Sequence, residues 1–502
     1  MNQEVTSVAL ENYKMLVNFD NHYKNYMANQ TPVETVVSPT PYEVVKENFQ
    51  LPFELYKFQE DTVNKLALLP HAGYYLDVGA GKTATSIASF LYKLAVGAVD
   101  KLVVIMPPVL IDGWYKTFEM YPDLKGKVTI YRGTPTQRKK INLGSTLITL
   151  VGIQIFKADF ERFDKVFGDK TAVIFDEAAA IKNISSQNYR YFREFALGKS
   201  TMLLTGTPLS KPTDGYAYMT FTAPGLYRNY SIFCGRYEGS RDFFGNVVSW
   251  RNLEELNEAL QINSVRILKQ DVLHELPEVT YTPLYYELNK QHYTLYTKLA
   301  LEEMLVLEDG GKIDATTASA LYHKLGQIIC NYDYFSGKEN AKSTCYELLD
   351  QVLSEIGDEK LVIFSNYRLT NRSLERHLQR HNVVTAFGDN SVAVNNKNIQ
   401  TFIDDPECKI LIGQPSSIGV GVNGLQDVCR NILFLEVPTL TLFHQSVARL
   451  HRTGQKQGVN VRIAVALNTL QVRQTENLIN NDTLVNKVIR NAEDLRDALF
   501  GK

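Results

Sequence analysis

Residues 77–83 read DVGAGKT, two glycines one residue apart and then Lys82 and Thr83. The run follows an apolar segment and opens a helical pattern. In that setting backbone N–H groups curl round phosphate oxygens and the helix N-terminus adds a favourable field. Gly79 and Gly81 let the backbone approach, Lys82 reaches the terminal phosphates, and the Thr83 hydroxyl suits Mg2+. The full GxxxxGK[ST] spacing is not met, because Leu76 stands where the first glycine belongs. Downstream, the apolar residues 172–175 (AVIF) end in Asp176 and Glu177. A carboxylate at a strand end beside a phosphate loop can hold Mg2+, and its neighbour can polarise an attacking water. The blander readings are a Gly-rich turn and a solvated acidic turn. The two signals in series favour nucleotide chemistry over both. Residues 203–208 (LLTGTP) again run from a strand into small hydroxyl residues, so Thr205 and Thr207 are candidates for sensing the phosphate state. In residues 445–455 (QSVARLHRTGQ), Arg449 and Arg452 are spaced to share one helical face. An arginine presented to a transferred phosphoryl group stabilises its developing charge. A surface ion pair is the plain alternative, and His451 reads as a packed histidine.

Positioning these residues requires strands. Short apolar runs at 73–78, 101–106, 146–151, 172–175 and 201–204 alternate with helical stretches, 83–96 being the clearest. The series resumes at 360–365, 383–386, 409–413, 431–435 and 460–466. Fully apolar strands alternating with helices predict parallel sheets covered on both faces. Two such series predict an α/β protein of two lobes. From 209 to about 358 the strand rhythm fades; aromatics crowd in, followed by helical patterns at 289–308 and 316–329. The proline-rich residues 31–52 suggest an extended lead-in. The expected divisions are an N-terminal extension (1–50), a first lobe (51–208), a largely helical insertion and linker (209–345), a second lobe (346–480) and a C-terminal helix (481–502).

The 502 residues are 44% hydrophobic and 22% charged, too apolar for a disordered chain. Lys plus Arg total 53 against 55 Asp plus Glu, a net charge of -2, so any nucleic-acid surface must come from local clusters. The five cysteines form no CxxC pair, which predicts no zinc site and a reducing compartment. The longest apolar stretch, 147–156, is too short to span a bilayer. With acids early and no apolar signal core, the start of the chain predicts no membrane and a cytoplasmic location; the compactness of the chain suits a bacterium or a phage-infected host.

Taken in order, these motifs resemble those of superfamily-two helicases, and of their Swi/Snf-like branch of DNA translocases. Residues 55–59 (LYKFQ) are similar to that branch's LRPYQ, 176–183 (DEAAAIKN) to DEAHRIKN, 419–423 (GVGVN) to GVGLN, and 449–455 (RLHRTGQ) to RAHRIGQ. Residues 276–293 and 325–331 resemble its bridging segment, and the likeness covers roughly 51–490. It implies two RecA-like lobes with ATP in the cleft between them. By position, Gln59 would read adenine, Lys82 and Thr83 would bind phosphate and Mg2+, Asp176 would hold the metal, and Glu177 would orient the water. Arg449 and Arg452 would reach across from the second lobe, and Gly421 and Asn423 would sit in the coupling motif. One departure is Ala179, where the family's motif II usually has His.

Double-stranded or branched DNA is the expected partner; protein partners are not indicated. Arg132, Arg138, Lys139 and Lys140 form the densest basic cluster of the first lobe. Arg368, Arg372, Arg376 and Arg380 fall at i+4 spacing, which predicts a stripe of guanidinium groups along one helix. No aromatic–basic interleaving marks a single-strand stacking platform. The leading expectation is an ATP-driven translocase that remodels forks, junctions or bound proteins. A strand-separating helicase, a nucleotide-gated clamp with little turnover and an RNA-dependent ATPase are the alternatives.

Overall fold

The computed structural model describes residues 19, 21–29, 38–241, 247, 249–272, 276–302, 304–306, 312–314, 318–337, 342–418, 424–452 and 454–489. They form two compact units, and the main division in the chain falls between Ile267 and Leu268. The first unit is built on β1 (His71–Leu76), β2 (Lys101–Met106), β3 (Val128–Tyr131), β4 (Ile148–Gly152), β5 (Thr171–Asp176), β6 (Ser200–Leu204) and β7 (Ser264–Ile267). These pair in parallel in the order β3-β4-β2-β5-β6-β1-β7. Interior strands such as β5 are buried along their whole length, as a sheet covered on both faces requires. Leu204 is level with Tyr74 on one side and with Asp176 on the other. The loops after β1, β5 and β6 therefore leave the sheet along one edge, the edge where open α/β sheets gather ligands.

The helix Pro41–Asn48 corrects the extended lead-in expected for 31–52 within its described part. Thr40 and Glu43 form a reciprocal capping box, and Pro41 occupies the first turn, where its missing N–H costs nothing. Tyr42 packs into a core cluster with Leu55, Val63, Ala67 and Ala88, so this segment is part of the first unit's fold.

The second unit carries β8 (Val279–Tyr286), β11 (Leu361–Phe364), β12 (Val383–Ala386), β13 (Ile410–Gly413), β14 (Asn431–Phe434) and β15 (Val459–Ala466), all parallel, in the order β12-β13-β11-β14-β15-β8. The strands β9 (Met304–Val306) and β10 (Lys312–Asp314) make a separate antiparallel pair. Leu361, Ile363, Ile412 and Leu433 form the core with Leu349 and Leu374 from the covering helices. The stretch expected to be helical does contain the helices Lys290–Glu302 and Ala318–Cys330, but it also supplies β7, β8, β9 and β10, and β9 stands where the helix expected over 289–308 should end. Each lobe is thus a parallel α/β sheet of RecA-like type.

Candidate active site

β1 leads directly through residues 77–81 into the helix Lys82–Ala95. Gly79 and Gly81 have φ of 89° and 82°, the left-handed region that favours glycine. A Cβ on Gly81 would also lie 2.1 Å from Gln59 Nε2. Gln59 is buried, and its Oε1 accepts the Tyr56 N–H at 3.0 Å, which fixes the amide with its nitrogen toward the loop. Lys82 Nζ donates to the Leu76 carbonyl at 2.9 Å. This explains how Leu76 can replace the first glycine: its side chain is buried in the β1 core while its carbonyl serves the loop. Thr83 is half-buried in the helix's first turn.

Asp176 ends β5 and is 7% exposed. Its Oδ2 accepts Trp114 Nε1–H at 2.7 Å and its Oδ1 accepts the Glu177 N–H at 2.9 Å. Burial raises its pKa; the Trp114 bond, the Lys82 ammonium and the Glu177 N–H oppose that rise. Lys82 and Asp176, 94 positions apart in sequence (176 − 82), are therefore within electrostatic reach. Each carboxylate oxygen keeps a lone pair, and oxygen donors on Asp176 and Thr83 are the kind a hard cation such as Mg2+ selects. Glu177 follows with φ 54° and ψ 55°, a conformation that costs a non-glycine residue on the order of 1–3 kcal/mol.

The loop after β6 lies alongside. Thr205 N–H donates to Tyr74 O at 3.2 Å, and Thr205 Oγ1 accepts the Thr207 N–H at 3.2 Å. The buried Thr207 hydroxyl has no hydrogen-bond partner among the described residues. Arg266 on β7 joins two motifs, donating to Tyr75 O at 2.8 Å and Gly206 O at 3.0 Å. Sequence reasoning gave neither Arg266 nor Trp114 a partner. Neither lies in a recognisable motif pattern that names its partner.

In the second unit, Arg449 sits in the last turn of the helix Leu440–Leu450. His451 is the C-cap, so Arg452 lies beyond the helix and the two arginines do not share a helical face as expected. Burial lowers the Arg452 pKa, with Asp427 opposing. His451 Nε2 lies 2.9 Å from Pro277 O, a packed histidine as expected. Gln455 holds the same turn, donating to Cys429 O and Leu450 O and accepting the Lys456 and Gln457 N–H groups. Gly421 and Asn423 lie outside the described residues. A residue the sequence did not single out, Glu436, follows β14. It is buried, and its two oxygens accept Ser365 Oγ–H at 2.7 Å and the Asn366 N–H at 2.9 Å. Burial pushes its pKa up to about 7, against opposing hydrogen bonds from Ser365, Asn366 and Thr370.

The expected nucleic-acid residues divide. Arg132 is exposed and paired with Asp112 at 2.8 Å, and Lys139 and Lys140 are exposed. Arg138 is not part of that surface: it is buried, with a forked pair to Asp159 at 2.6 and 3.1 Å. The helix Arg368–His377 presents Arg368, Arg372 and Arg376, while Arg380 lies past its end. Asp389 meets Arg368 at 3.0 Å and Arg372 at 3.8 Å, and Asp333 meets Arg376 at 3.7 Å. Exposed pairs of this kind are worth roughly 0–1 kcal/mol, so they yield readily to a phosphate.

A phosphate loop, a buried strand-end aspartate and a second parallel-sheet lobe define a two-lobed nucleotide-binding protein of RecA-like construction. The SNF2-related domain family matches residues 75–334, just over half the chain. The chain belongs to that family, within the Swi/Snf-like branch of superfamily two. It is 24% identical over 478 residues to an uncharacterized ATP-dependent helicase, MG018, of Mycoplasma genitalium, covering 90% of this chain and 44% of that protein. It is 25% identical over 430 residues to the human SWI/SNF-related matrix-associated actin-dependent regulator of chromatin subfamily A member 1, covering 80% of this chain and 40% of that one. A solved SWI2/SNF2 ATPase core from Sulfolobus solfataricus in complex with dsDNA aligns at a TM-score of 0.42 and 20% identity, over 89% of this chain and 97% of that one. The chain spans less than half the length of these two curated relatives.

Proposed function

We propose that this chain is a nucleic-acid-stimulated ATPase that moves on double-stranded DNA and remodels forks, junctions or bound proteins in the cytoplasm. The observation that carries the reading is the shared strand edge of the first unit, where Lys82 and Asp176 come within electrostatic reach. Gln59 reads the adenine, and the backbone of Gly79 and Gly81 with Lys82 holds the phosphates. Mg2+ held by Thr83 and Asp176 would neutralise charge on the phosphate oxygens. Glu177 orients the attacking water and receives its proton. Arg449 and Arg452 supply cations for charge developing on the transferred phosphoryl group. Gly421 and Asn423 belong to the segment that couples this chemistry to movement. Duplex DNA follows the phosphate-facing cations Arg132, Lys139, Lys140, Arg368, Arg372, Arg376 and Arg380.

The test is steady-state ATP hydrolysis with no nucleic acid, duplex DNA, single-stranded DNA or RNA, with Lys82→Ala as control. Stimulation by duplex DNA that vanishes in the control is the expected result. Stimulation only by single strands, with strand displacement, would favour a separating helicase. ATP binding without turnover under every condition would favour a nucleotide-gated clamp.

A further inference from the structure

The turn after Glu177 carries a cation that the site described above does not use. Residues Ala178–Ile181 form one 3-10 turn, and Lys182 follows as its C-cap. Ala179 and Ala180 contribute only methyl groups, so this turn cannot reach the neighbouring loop through their side chains. Lys182 can. Its Nζ donates to the Ser210 hydroxyl in a short hydrogen bond and lies 3.5 Å from Asp214 Oδ2. Asp214 is buried, and the same Oδ2 accepts the Ser210 N–H at 2.8 Å and the Lys211 N–H at 3.2 Å. Ser210 directly continues the loop that holds Thr205 and Thr207. One ammonium therefore ties the Glu177 turn to that loop, and one carboxylate fixes the loop's far end.

We propose that Lys182 is a positioning residue through which the loop 205–210 sets the placement of Glu177. The inference rests on the ATPase reading and deepens it. A single 3-10 turn is too short to absorb a displacement, so movement at Ser210 is passed along it. Glu177 receives that movement in a backbone conformation held only by its surroundings. Misplacing a water-orienting group by about 1 Å can cost on the order of a hundredfold in rate while leaving ground-state binding intact. The link needs both reach and a charged donor; arginine supplies both, whereas methionine keeps much of the reach and lacks the donor.

The experiment uses the full chain with Lys182→Met, Lys182→Arg, Ser210→Ala and the Lys182→Met/Ser210→Ala double variant. It records kcat and KM for ATP with and without duplex DNA, fluorescent-nucleotide affinity, and the melting midpoint. The expected result is a kcat with DNA about tenfold lower in Lys182→Met, with KM and nucleotide affinity within about twofold. Lys182→Arg should recover most of the loss. The double variant should be no slower than Lys182→Met, because both changes break one link. A Lys182→Met chain stimulated as strongly as its parent overturns the inference alone. So does a loss that appears equally in KM and melting and that arginine fails to restore. A parent chain without any hydrolysis overturns the ATPase reading, and this inference with it.

Discussion

Two buried carboxylates stand at strand ends, Asp176 as the last residue of β5 in the first unit and Glu436 just after β14 in the second. Each accepts a side-chain donor at 2.7 Å and a backbone N–H at 2.9 Å. Burial raises the pKa of both. They differ in what else faces them. Asp176 has the Lys82 ammonium and a phosphate loop on the same sheet edge, so it can stay ionised and meet a cation. Glu436 faces hydroxyls and an N–H but no cation, and those hydrogen bonds offset only part of the rise that burial imposes. On the proposed reading the same local geometry serves chemistry in one lobe and anchorage in the other, where it pins the start of the Arg368–His377 helix to the approach of the Leu440–Leu450 helix. What decides the role is the neighbouring charge, not the burial.

That contrast can be broken most directly at the nucleotide site. Lys82→Ala or Asp176→Ala should lower ATP hydrolysis by roughly 10³-fold or more, whereas Glu436→Gln should cost less than about threefold. Equal losses in a steady-state assay would erase the distinction. The next effect is thermodynamic. The Glu436 pKa is raised from the ordinary 4.5 to about 7. Its contribution to stability is therefore fully present below pH 4.5 and is lost as the pH rises through 7. That is about 3 kcal/mol at most, so the melting midpoint should fall by several degrees between pH 5 and 8. Glu436→Gln should flatten the fall; an unchanged slope by calorimetry would show that Glu436 is already ionised when folded. A smaller effect sharpens the other side. Trp114→Phe removes one donor from Asp176 while keeping the packing, and should slow turnover about tenfold. A turnover number equal to the parent's would mean that Lys82 and the Glu177 N–H suffice to hold the carboxylate. The smallest effect concerns the exposed arginines. Reversing Arg368 and Arg372 to Glu should reduce the slope of log affinity for DNA against log salt by about 1–2; an identical slope would remove that helix from the DNA path.

The interior strands of both lobes were legible because a strand buried on two faces is a continuous apolar run. In the two large sheets the strands that escaped notice, β3, β7 and β8, are all sheet edges; the short pair β9 and β10 escaped as well, β9 falling within the helix expected over 289–308. An edge is half-exposed, and β8, with four successive exposed residues and a central Pro283, carries almost no apolar signal. The phosphate loop and Asp176-Glu177 were legible because their chemistry is local in sequence. Arg266, Lys182, Trp114 and Glu436 were not, since each acts on a partner that only the fold brings near. Proline misled once, at Pro41, because the same residue that ends a helix also begins one. Spacing misled at Arg449 and Arg452, because a helix that stops at Leu450 ends the periodicity that placed them together.

Glu177 sits where the backbone favours glycine, and that has a consequence for how this chain responds to selection. A glycine there would relax the turn and raise heat resistance, yet it would delete the carboxylate. In a library diversified at position 177 and screened only for survival of heating, glycine and asparagine should accumulate. In the same library screened for turnover, glutamate should return. The site would separate the two selections more sharply than any core position, where both demand the same residue.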